Sequence, residues 1–172
     1  MGNWPDGILR DDATNRHSRY QLAGRVLGEA RIRNRCTSDG GHGCPILIEG
    51  KRDRLALQKM GFTGEIEQVY RGWDQPRLVA YLFEKYGRKN PVDQGPVIIV
   101  LMDWDRTGGR LQRNICDRLE AFGATIDEKT RMELARAMKP EGRTVESMKS
   151  HAHLLRPYID AIDPDGIDKD SL

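Results

Sequence analysis

Two stretches of the sequence decide the fold. Residues 44–53 read Cys-Pro-Ile-Leu-Ile-Glu-Gly-Lys-Arg-Asp, and residues 95–108 read Gly-Pro-Val-Ile-Ile-Val-Leu-Met-Asp-Trp-Asp-Arg-Thr-Gly. Each is a short apolar run that ends abruptly in carboxylates, a glycine and a basic residue. Such runs, rich in Ile and Val, are typical of parallel strands that are covered by helices on both faces. Because ligands of open α/β sheets bind outside the carboxyl ends of the strands, the acidic ends of both runs are predicted to lie at a ligand-binding edge.

Helical patterns alternate with short strands along the rest of the chain. Strands are predicted at about 45–49, 66–70, 97–102 and 125–126. Helices are predicted at about 19–33, 53–60, 74–86, 107–122, 127–138 and 144–155. Because crossovers between parallel strands are right-handed, this order predicts an α/β fold: a small doubly wound, Rossmann-like parallel sheet of about four strands flanked by helices.

The length of 172 residues fits one domain with short additions. Four parts are expected: an N-terminal arm with a basic helix at 1–43, the sheet domain at 44–126, C-terminal helices packed on it at 127–156, and a solvated acidic tail at 157–172. The arm is expected to be loose over about residues 1–15. The tail is rich in aspartate, Pro and Gly, which favours solvated chain over packed structure.

Charge is unevenly distributed, although the formal net charge is only +2. Between residues 16 and 35 a single acid, Glu29, accompanies six arginines: Arg16, Arg19, Arg25, Arg31, Arg33 and Arg35. The tail carries five aspartates: Asp160, Asp163, Asp165, Asp168 and Asp170. One interpretation is that the basic segment forms a surface for a polyanion and that the acidic tail forms a second surface that repels it. The alternative is an amphipathic helix that packs on the domain and leaves a solvated basic face.

The sequence also indicates where in the cell the protein is located. No apolar run is long enough to span a membrane, and the N-terminus lacks the features of a signal peptide, so a cytoplasmic protein without membrane contact is expected. Three cysteines fit a reducing compartment. Cys36, His42 and Cys44 lie close together in a Gly-rich loop, but three local ligands at this spacing match no standard zinc finger.

The acids at the strand ends are candidate metal ligands. Residues two apart in an extended strand point to the same side, so Asp103 and Asp105 are expected to project together. Glu49 is expected to lie beside these two aspartates if its strand is next to the strand at 97–102. Such a three-carboxylate cluster suits Mg²⁺, or Mn²⁺, and phosphoryl transfer. The plainer alternative is that the aspartates cap the next helix and that Glu49 forms a structural ion pair with Arg106.

Residues around these acids are candidate substrate-binding groups. The basic candidates for flanking phosphates are Lys51, Arg52, Arg54, Arg106 and Arg110. Gly50 and Gly108 would let the backbone approach a ligand where a side chain would block it.

The two acidic stretches resemble the motifs of Toprim domains. Residues 46–53, with the helix that follows them to Gly61, look like the first motif, an apolar strand ending in Glu-Gly. Residues 103–108 look like the second, Asp-x-Asp-x-x-Gly after a buried strand. The similarity covers about residues 44–126 and is greatest to small stand-alone, primase-like Toprim proteins and to the ribonuclease that matures 5S ribosomal RNA.

The resemblance implies Mg²⁺-assisted phosphodiester chemistry, with Glu49 as the acid/base and Asp103 and Asp105 as metal ligands, all three in catalytic positions. The expected function is a nuclease-like reaction on structured nucleic acid, RNA before DNA, with the ribosome as a candidate partner. A non-catalytic Toprim module that binds nucleic acid or the ribosome is the alternative, and a primase-like nucleotidyltransferase is the third. The sequence does not indicate an oligomeric state.

Overall fold

The computed structural model describes the backbone of residues 6–167 and the side chains of residues 15–167. Its strands are β1 (Ile46–Ile48), β2 (Ile66–Gln68), β3 (Ile98–Val100) and β4 (Ile126–Asp127). Its α-helices are α1 (Asp6–Asn34), α2 (Lys51–Lys59), α3 (Gln75–Tyr86), α4 (Arg106–Ala121), α5 (Lys129–Met138) and α6 (Ala152–Ile162). Short 3-10 helices occupy Thr37–Asp39, Glu146–His151 and Pro164–Gly166. All strand pairs are parallel, so the predicted doubly wound α/β sheet is confirmed.

The sheet is buried on both faces because its side chains alternate between two cores. In β1, Ile46 and Ile48 pack with residues of α1, α2, α5 and α6, whereas Leu47 packs with residues of α3 and α4. All three side chains are fully buried. A strand with this environment must be apolar at every position, which is why the strands appear in the sequence as continuous apolar runs.

The order of the strands is β2-β1-β3-β4, so the chain reverses its direction of travel across the sheet. Helix α2 connects β1 to its neighbour β2 on one face, and α3 then crosses back over β1 to β3 on the other face. The carboxyl ends of β1 and β3 therefore flank the point where the winding changes side. This is the usual place for a ligand-binding crevice in such folds. The edge where the strands' carboxyl ends meet is called the carboxyl edge below.

Helix α1 is longer than predicted. It begins at Asp6, so residues 6–15 are helical and not a loose arm, and residues 1–5 of that predicted arm lie outside the described residues. Its glycines allow close packing on α6: a Cβ added at Gly24 would lie 2.1 Å from the Tyr158 Cβ. Although α1 has 29 residues, neither it nor another helix in the described chain is long and apolar enough to cross a membrane.

Most of the arginines predicted to form a basic face are neutralised by carboxylates. Five of the six form ion pairs: Arg16 and Arg19 with Glu141, Arg31 with Asp160 and Asp163, Arg33 with Asp93, and Arg35 with Asp163. The sixth, Arg25, is exposed. The basic segment and the acidic tail therefore bind each other in part, and they do not form two separate charged surfaces as the charge pattern suggested.

The predicted solvated tail is wrong for residues 157–163. Helix α6 continues to Ile162 with Pro157 inside it, and the Asp163 side chain is only 2% exposed. Asp163 accepts a hydrogen bond from Arg31 Nε at 2.6 Å and another from Arg35. Arg31 is 1% exposed, and this pairing satisfies a guanidinium that would otherwise be buried without a counter-charge. Residues 168–172 of the predicted tail lie outside the described part.

The outer edge of β2 is also covered by arginines. Arg54 Nη2 donates to the Ile66 carbonyl at 2.8 Å, and Arg71 Nε donates to the Gln68 carbonyl at 2.7 Å. In the parallel pairing with β1 the neighbouring groups, the Glu65 carbonyl and the Val69 N–H, bond to β1. The two outward-facing carbonyls of β2 are thus already hydrogen-bonded within the chain.

Candidate metal centre

Three carboxylates converge at the carboxyl edge. Glu49 follows β1, Asp103 follows β3, and Asp53 lies in the first turn of α2. One oxygen of each lies within 4.8 Å of the others. The three residues, called the acidic cluster below, are 8, 9 and 6% exposed, respectively. The structure thus brings together the predicted Glu49 and Asp103 and adds Asp53, which was not among the predicted metal ligands.

Asp53 reaches the cluster because α2 begins two residues earlier than predicted. Gly50 is the N-cap, and Asp53 occupies the third helical position, where its Oδ2 accepts the Gly50 N–H at 3.1 Å. Its Oδ1 accepts the Glu146 N–H at 3.1 Å. A carboxylate in the first turn is favoured by the helix dipole, and these two N–H groups fix its orientation.

Asp103 is held by a backbone N–H and by a partly buried arginine. The Val145 N–H donates to Asp103 Oδ1 at 2.7 Å. Arg131 of α5 donates to the carbonyls of Met102 (3.1 Å from Nε) and Asp103 (2.8 Å from Nη2). Burial lowers the pKa of Arg131, against the opposing effect of nearby carboxylates. The segment after β3 is therefore fixed from two sides.

Asp105 has a different position from the one predicted. It is the N-cap of α4, and its Oδ1 accepts the Gly108 N–H at 2.7 Å. It is not part of the acidic cluster, although its charge still acts on Glu49. The capping alternative considered for this aspartate thus describes its contact in the structure.

The two candidate glycines have different surroundings. A Cβ at Gly108 would lie 2.0 Å from the Asp103 carbonyl oxygen, so this glycine permits close approach of α4 to the chain's own backbone and not to a ligand. A Cβ at Gly50 would meet nothing closer than the Tyr70 ring, at 3.8 Å. Gly108 therefore sets the position of Asp103, and Gly50 lies beside an aromatic ring.

Burial, followed by repulsion between the carboxylates, determines the electrostatics of the cluster. Burial raises the pKa of Glu49 to about 8, with further contributions from Asp103, Asp53 and Asp105. Burial and the charge of Asp103 also raise the pKa of Asp53. No residue of the cluster takes part in an ion pair with any side chain of residues 15–167. Three close carboxylate oxygens without an ion-pair partner among the described side chains form a hard donor set that fits Mg²⁺ or Mn²⁺.

The raised pKa of Glu49 predicts a particular pH dependence of stability in EDTA. The folded protein keeps the Glu49 proton up to about pH 8, whereas an unfolded glutamate loses it near its ordinary pKa of 4.5. Between these values the folded state binds more protons, so the free energy of unfolding falls as pH rises. We expect the midpoint of thermal unfolding, followed by circular dichroism, to decrease across this range and to decrease less in Glu49→Gln. Parallel curves for the two proteins would contradict the raised pKa.

Most of the predicted basic residues surround the cluster as exposed side chains. Lys51, Arg106 and Arg110 are exposed at the first turns of α2 and α4. Arg52 is exposed and lies 3.9 Å from Glu146. Arg54 is directed to the edge of β2 instead, and its prediction as a phosphate-binding residue has no support in this geometry. The sequence pattern missed Arg131, for which no local signal exists, and Tyr70, which follows β2.

The Gly-rich loop does not form a zinc site. Cys36 is exposed, Cys44 is buried with its thiol 3.6 Å from the Pro96 carbonyl, and His42 contacts Asp93. Within residues 15–167, the acidic cluster is the only group of three or more His, Cys, Asp or Glu side chains close enough to share an ion.

Comparison with known proteins identifies relatives that match 60–69% of the chain. No protein-family model matches the chain. A protein from Aquifex aeolicus superimposes with a TM-score of 0.48 at 22% identity, over 69% of this chain and 93% of that one. The UPF0292 protein of Methanosarcina barkeri is 29% identical over 116 residues, 67% of this chain and 74% of the relative.

Two further relatives decide the family. The UPF0292 protein of Thermococcus onnurineus is 31% identical over 104 residues, 60% of this chain and 69% of the relative. That of Pyrococcus horikoshii is 31% identical over 105 residues, 61% of this chain and 71% of the relative. Identity at this level over more than two thirds of the relatives' length shows that the chain belongs to the UPF0292 family.

Proposed function

We propose that this protein is a Toprim-like enzyme that performs metal-dependent, nuclease-like phosphodiester chemistry on nucleic acid. The observation that carries the proposal is the acidic cluster: three buried carboxylates from β1, α2 and β3 converge where the winding of the sheet changes side. Burying carboxylates next to one another is costly unless they bind a cation or one of them is protonated. Clusters with such perturbed pKa values in a crevice are typical of functional sites.

Glu49, Asp53 and Asp103 are the residues that would hold the metal. When bound, Mg²⁺ neutralises phosphate charge and lowers the pKa of a coordinated water. Fixed ligand orientation favours such a site, and here the backbone N–H groups of Gly50, Val145 and Glu146 orient two of the carboxylates.

Glu49 is the proposed general acid/base. Its pKa of about 8 lies near neutral pH, where a carboxyl can both give and take a proton. Of the three carboxylates, Glu49 alone accepts no backbone N–H of the described chain, and its carboxyl hydrogen-bonds to Asp103 within the cluster. Its role would be to move a proton at the attacking or leaving oxygen of the phosphodiester.

Two helix N-termini favour an anionic substrate at the same edge. Helix α2 begins after Gly50 and α4 after Asp105, so both present their positive dipole ends towards the acidic cluster. Lys51, Arg106 and Arg110 add exposed positive charge around it. These groups would bind the phosphates that flank the scissile bond, with structured RNA the first candidate substrate and DNA the second.

The test begins with the metal. We expect Mn²⁺, followed by its electron paramagnetic resonance signal, to bind the wild type and to bind Asp53→Asn at least about 10-fold more weakly. Asp105→Asn is the matched control, because Asn is as good an N-cap as Asp and the helix is preserved. In Mg²⁺ or Mn²⁺ the wild type should cleave at least one of folded RNA, duplex DNA and single-stranded DNA, and Asp103→Asn should not.

The outcomes separate two versions of the site. An equal loss of Mn²⁺ affinity in Asp105→Asn and Asp53→Asn would return Asp105 to the ligand set that the sequence suggested. If the wild type binds no Mn²⁺ and cleaves none of the substrates, the proposal that the protein is an enzyme is refuted.

The alternative of a non-catalytic binding module has less support from these contacts. Its expected surface is the arginine-rich helix, where five of six arginines are already paired with carboxylates. Arg31, one of the residues expected to grip a polyanion, is buried. The exposed positive charge at the carboxyl edge favours binding next to the acidic cluster instead.

A further inference from the structure

An exposed aromatic ring lies next to the acidic cluster. Tyr70 follows β2 and is 63% exposed, more than any other large apolar or aromatic residue that the structure leaves on the surface of residues 15–167. Its backbone N–H donates to the Glu49 carbonyl at 3.0 Å, which fixes it beside the first carboxylate of the cluster. Its ring lies against Gly50, where a Cβ would be 3.8 Å away.

The ring of Tyr70 differs from its aromatic neighbours in being open. The Trp73 ring is covered by the guanidinium groups of Arg77 and Arg71, at 4.4 and 5.1 Å from its centroid, and Tyr81 contacts Trp73 edge-on. In the described part of the chain, Tyr70 has neither an aromatic nor a cationic partner over its ring, and its hydroxyl makes no hydrogen bond. An exposed ring without an internal partner is free to stack with a planar ligand.

We propose that Tyr70 stacks against an unpaired base of the nucleic acid, next to the phosphodiester that faces the acidic cluster. The proposal rests on the function proposed above and names its substrate class: a single-stranded segment, such as a loop, a bulge or a free end. A base within a duplex cannot offer its face to a side chain unless it leaves the stack, whereas an unpaired base can.

The surroundings of Tyr70 fit a nucleotide and not only a base. Burial raises the pKa of the Tyr70 phenol, and the nearby charges of Glu49, Asp103, Asp105 and Asp53 raise it further. Lys51 is exposed one residue beyond Gly50 and is placed to meet a phosphate attached to the stacked nucleoside. Stacking tolerates any base, so Tyr70 would select for strandedness and not for sequence.

The test measures binding by fluorescence anisotropy in Ca²⁺. The probes are a short fluorescein-labelled RNA and a DNA of the same sequence. Each probe is tested in two forms, as a single strand and as a duplex with its complement. Tyr70→Ala is expected to bind single strands about 5- to 150-fold more weakly than the wild type and to bind duplexes equally well. Tyr70→Phe, which keeps the ring, should resemble the wild type. Phe122→Ala is the control, since Phe122 is also exposed but follows α4, about 24 Å of helix away from the site.

A single abasic nucleotide, moved along the single strand, supplies a second readout. At one position the abasic nucleotide should weaken binding by the wild type by the same factor as the Tyr70→Ala substitution does. The same abasic nucleotide should weaken binding by Tyr70→Ala little further. If Tyr70→Phe loses as much as Tyr70→Ala, the hydroxyl acts and the stacking role is refuted. Equal losses on single strands and duplexes, or no loss on either, also overturn it.

The same measurements separate this inference from the proposed chemistry. Tyr70-dependent binding of single strands without any Mg²⁺-dependent cleavage would retain the stacking site and reject the nuclease. Cleavage that Tyr70→Ala leaves unchanged on both kinds of substrate would retain the nuclease and reject the stacking site. A wild type that binds neither RNA nor DNA would reject both. A preference for the RNA or the DNA arm identifies the sugar of the substrate.

Discussion

Glu49→Gln is expected to reduce Mg²⁺-dependent cleavage by at least about 100-fold, the usual contribution of a positioned acid or base. The amide keeps the size of the side chain but can neither accept nor release the proton at this position. It also removes one of the three carboxyl groups that would hold the metal, so Mn²⁺ affinity should fall as well. Single-turnover cleavage at saturating Mg²⁺ separates the loss of proton transfer from the loss of metal.

The variant should not lose cleavage by unfolding. Removing a buried acid that faces Asp103 and Asp53 relieves repulsion, so we expect Glu49→Gln in EDTA to be at least as stable as the wild type near about pH 8. Glu84→Gln is a matched control, because Glu84 is an exposed glutamate of α3 away from the cluster. Wild-type cleavage rates in Glu49→Gln would show that Glu49 moves no proton in the reaction.

Asp163→Asn is expected to lower the free energy of unfolding by about 3–5 kcal/mol, as the loss of one partner from a buried ion pair does. The substitution keeps the shape of the side chain but leaves Arg31 and Arg35 without their shared buried carboxylate. Arg31 would retain the partly exposed Asp160 and the carbonyls of Met60 and Asp163. Urea unfolding followed by circular dichroism measures the change.

Asp165→Asn is the control for this effect. Asp165 lies two residues further along the same segment but is exposed, so its change should stay within about 0.5 kcal/mol. If the two variants are equally stable, the contacts between α1 and residue 163 contribute nothing to the fold. A loss confined to Asp163→Asn would show that the end of the chain is needed to hold the long first helix.

The sheet and two of the three residues of the acidic cluster could be predicted because local pattern determines them. Strands buried on both faces must be apolar throughout, and the sequence of β1 is apolar at every position. Parallel pairing of β1 with β3 then brings residues after their carboxyl ends together, which is why Glu49 and Asp103 were predicted to meet. For these features no knowledge of distant contacts was needed.

The remaining features depend on contacts or boundaries that a local pattern does not contain. Asp53 joins the cluster only because α2 begins at Lys51, and a shift of two residues in a helix start turns a side chain by more than half a turn. The place of Asp105 depends in the same way on the first residue of α4. Arg31 and Asp163 are separated by 132 positions, and a run of aspartates gives no sign that one of them is buried.

The arginines along β2 have a consequence for how copies of this protein can associate. A terminal strand with free carbonyls is a template on which another chain can add a strand and extend the sheet. Here Arg54 and Arg71 occupy the outward carbonyls of Ile66 and Gln68, and a second copy would have to displace both guanidinium groups before it could pair. Sheet extension is therefore disfavoured at this edge, which makes β2 a poor template for β-aggregation.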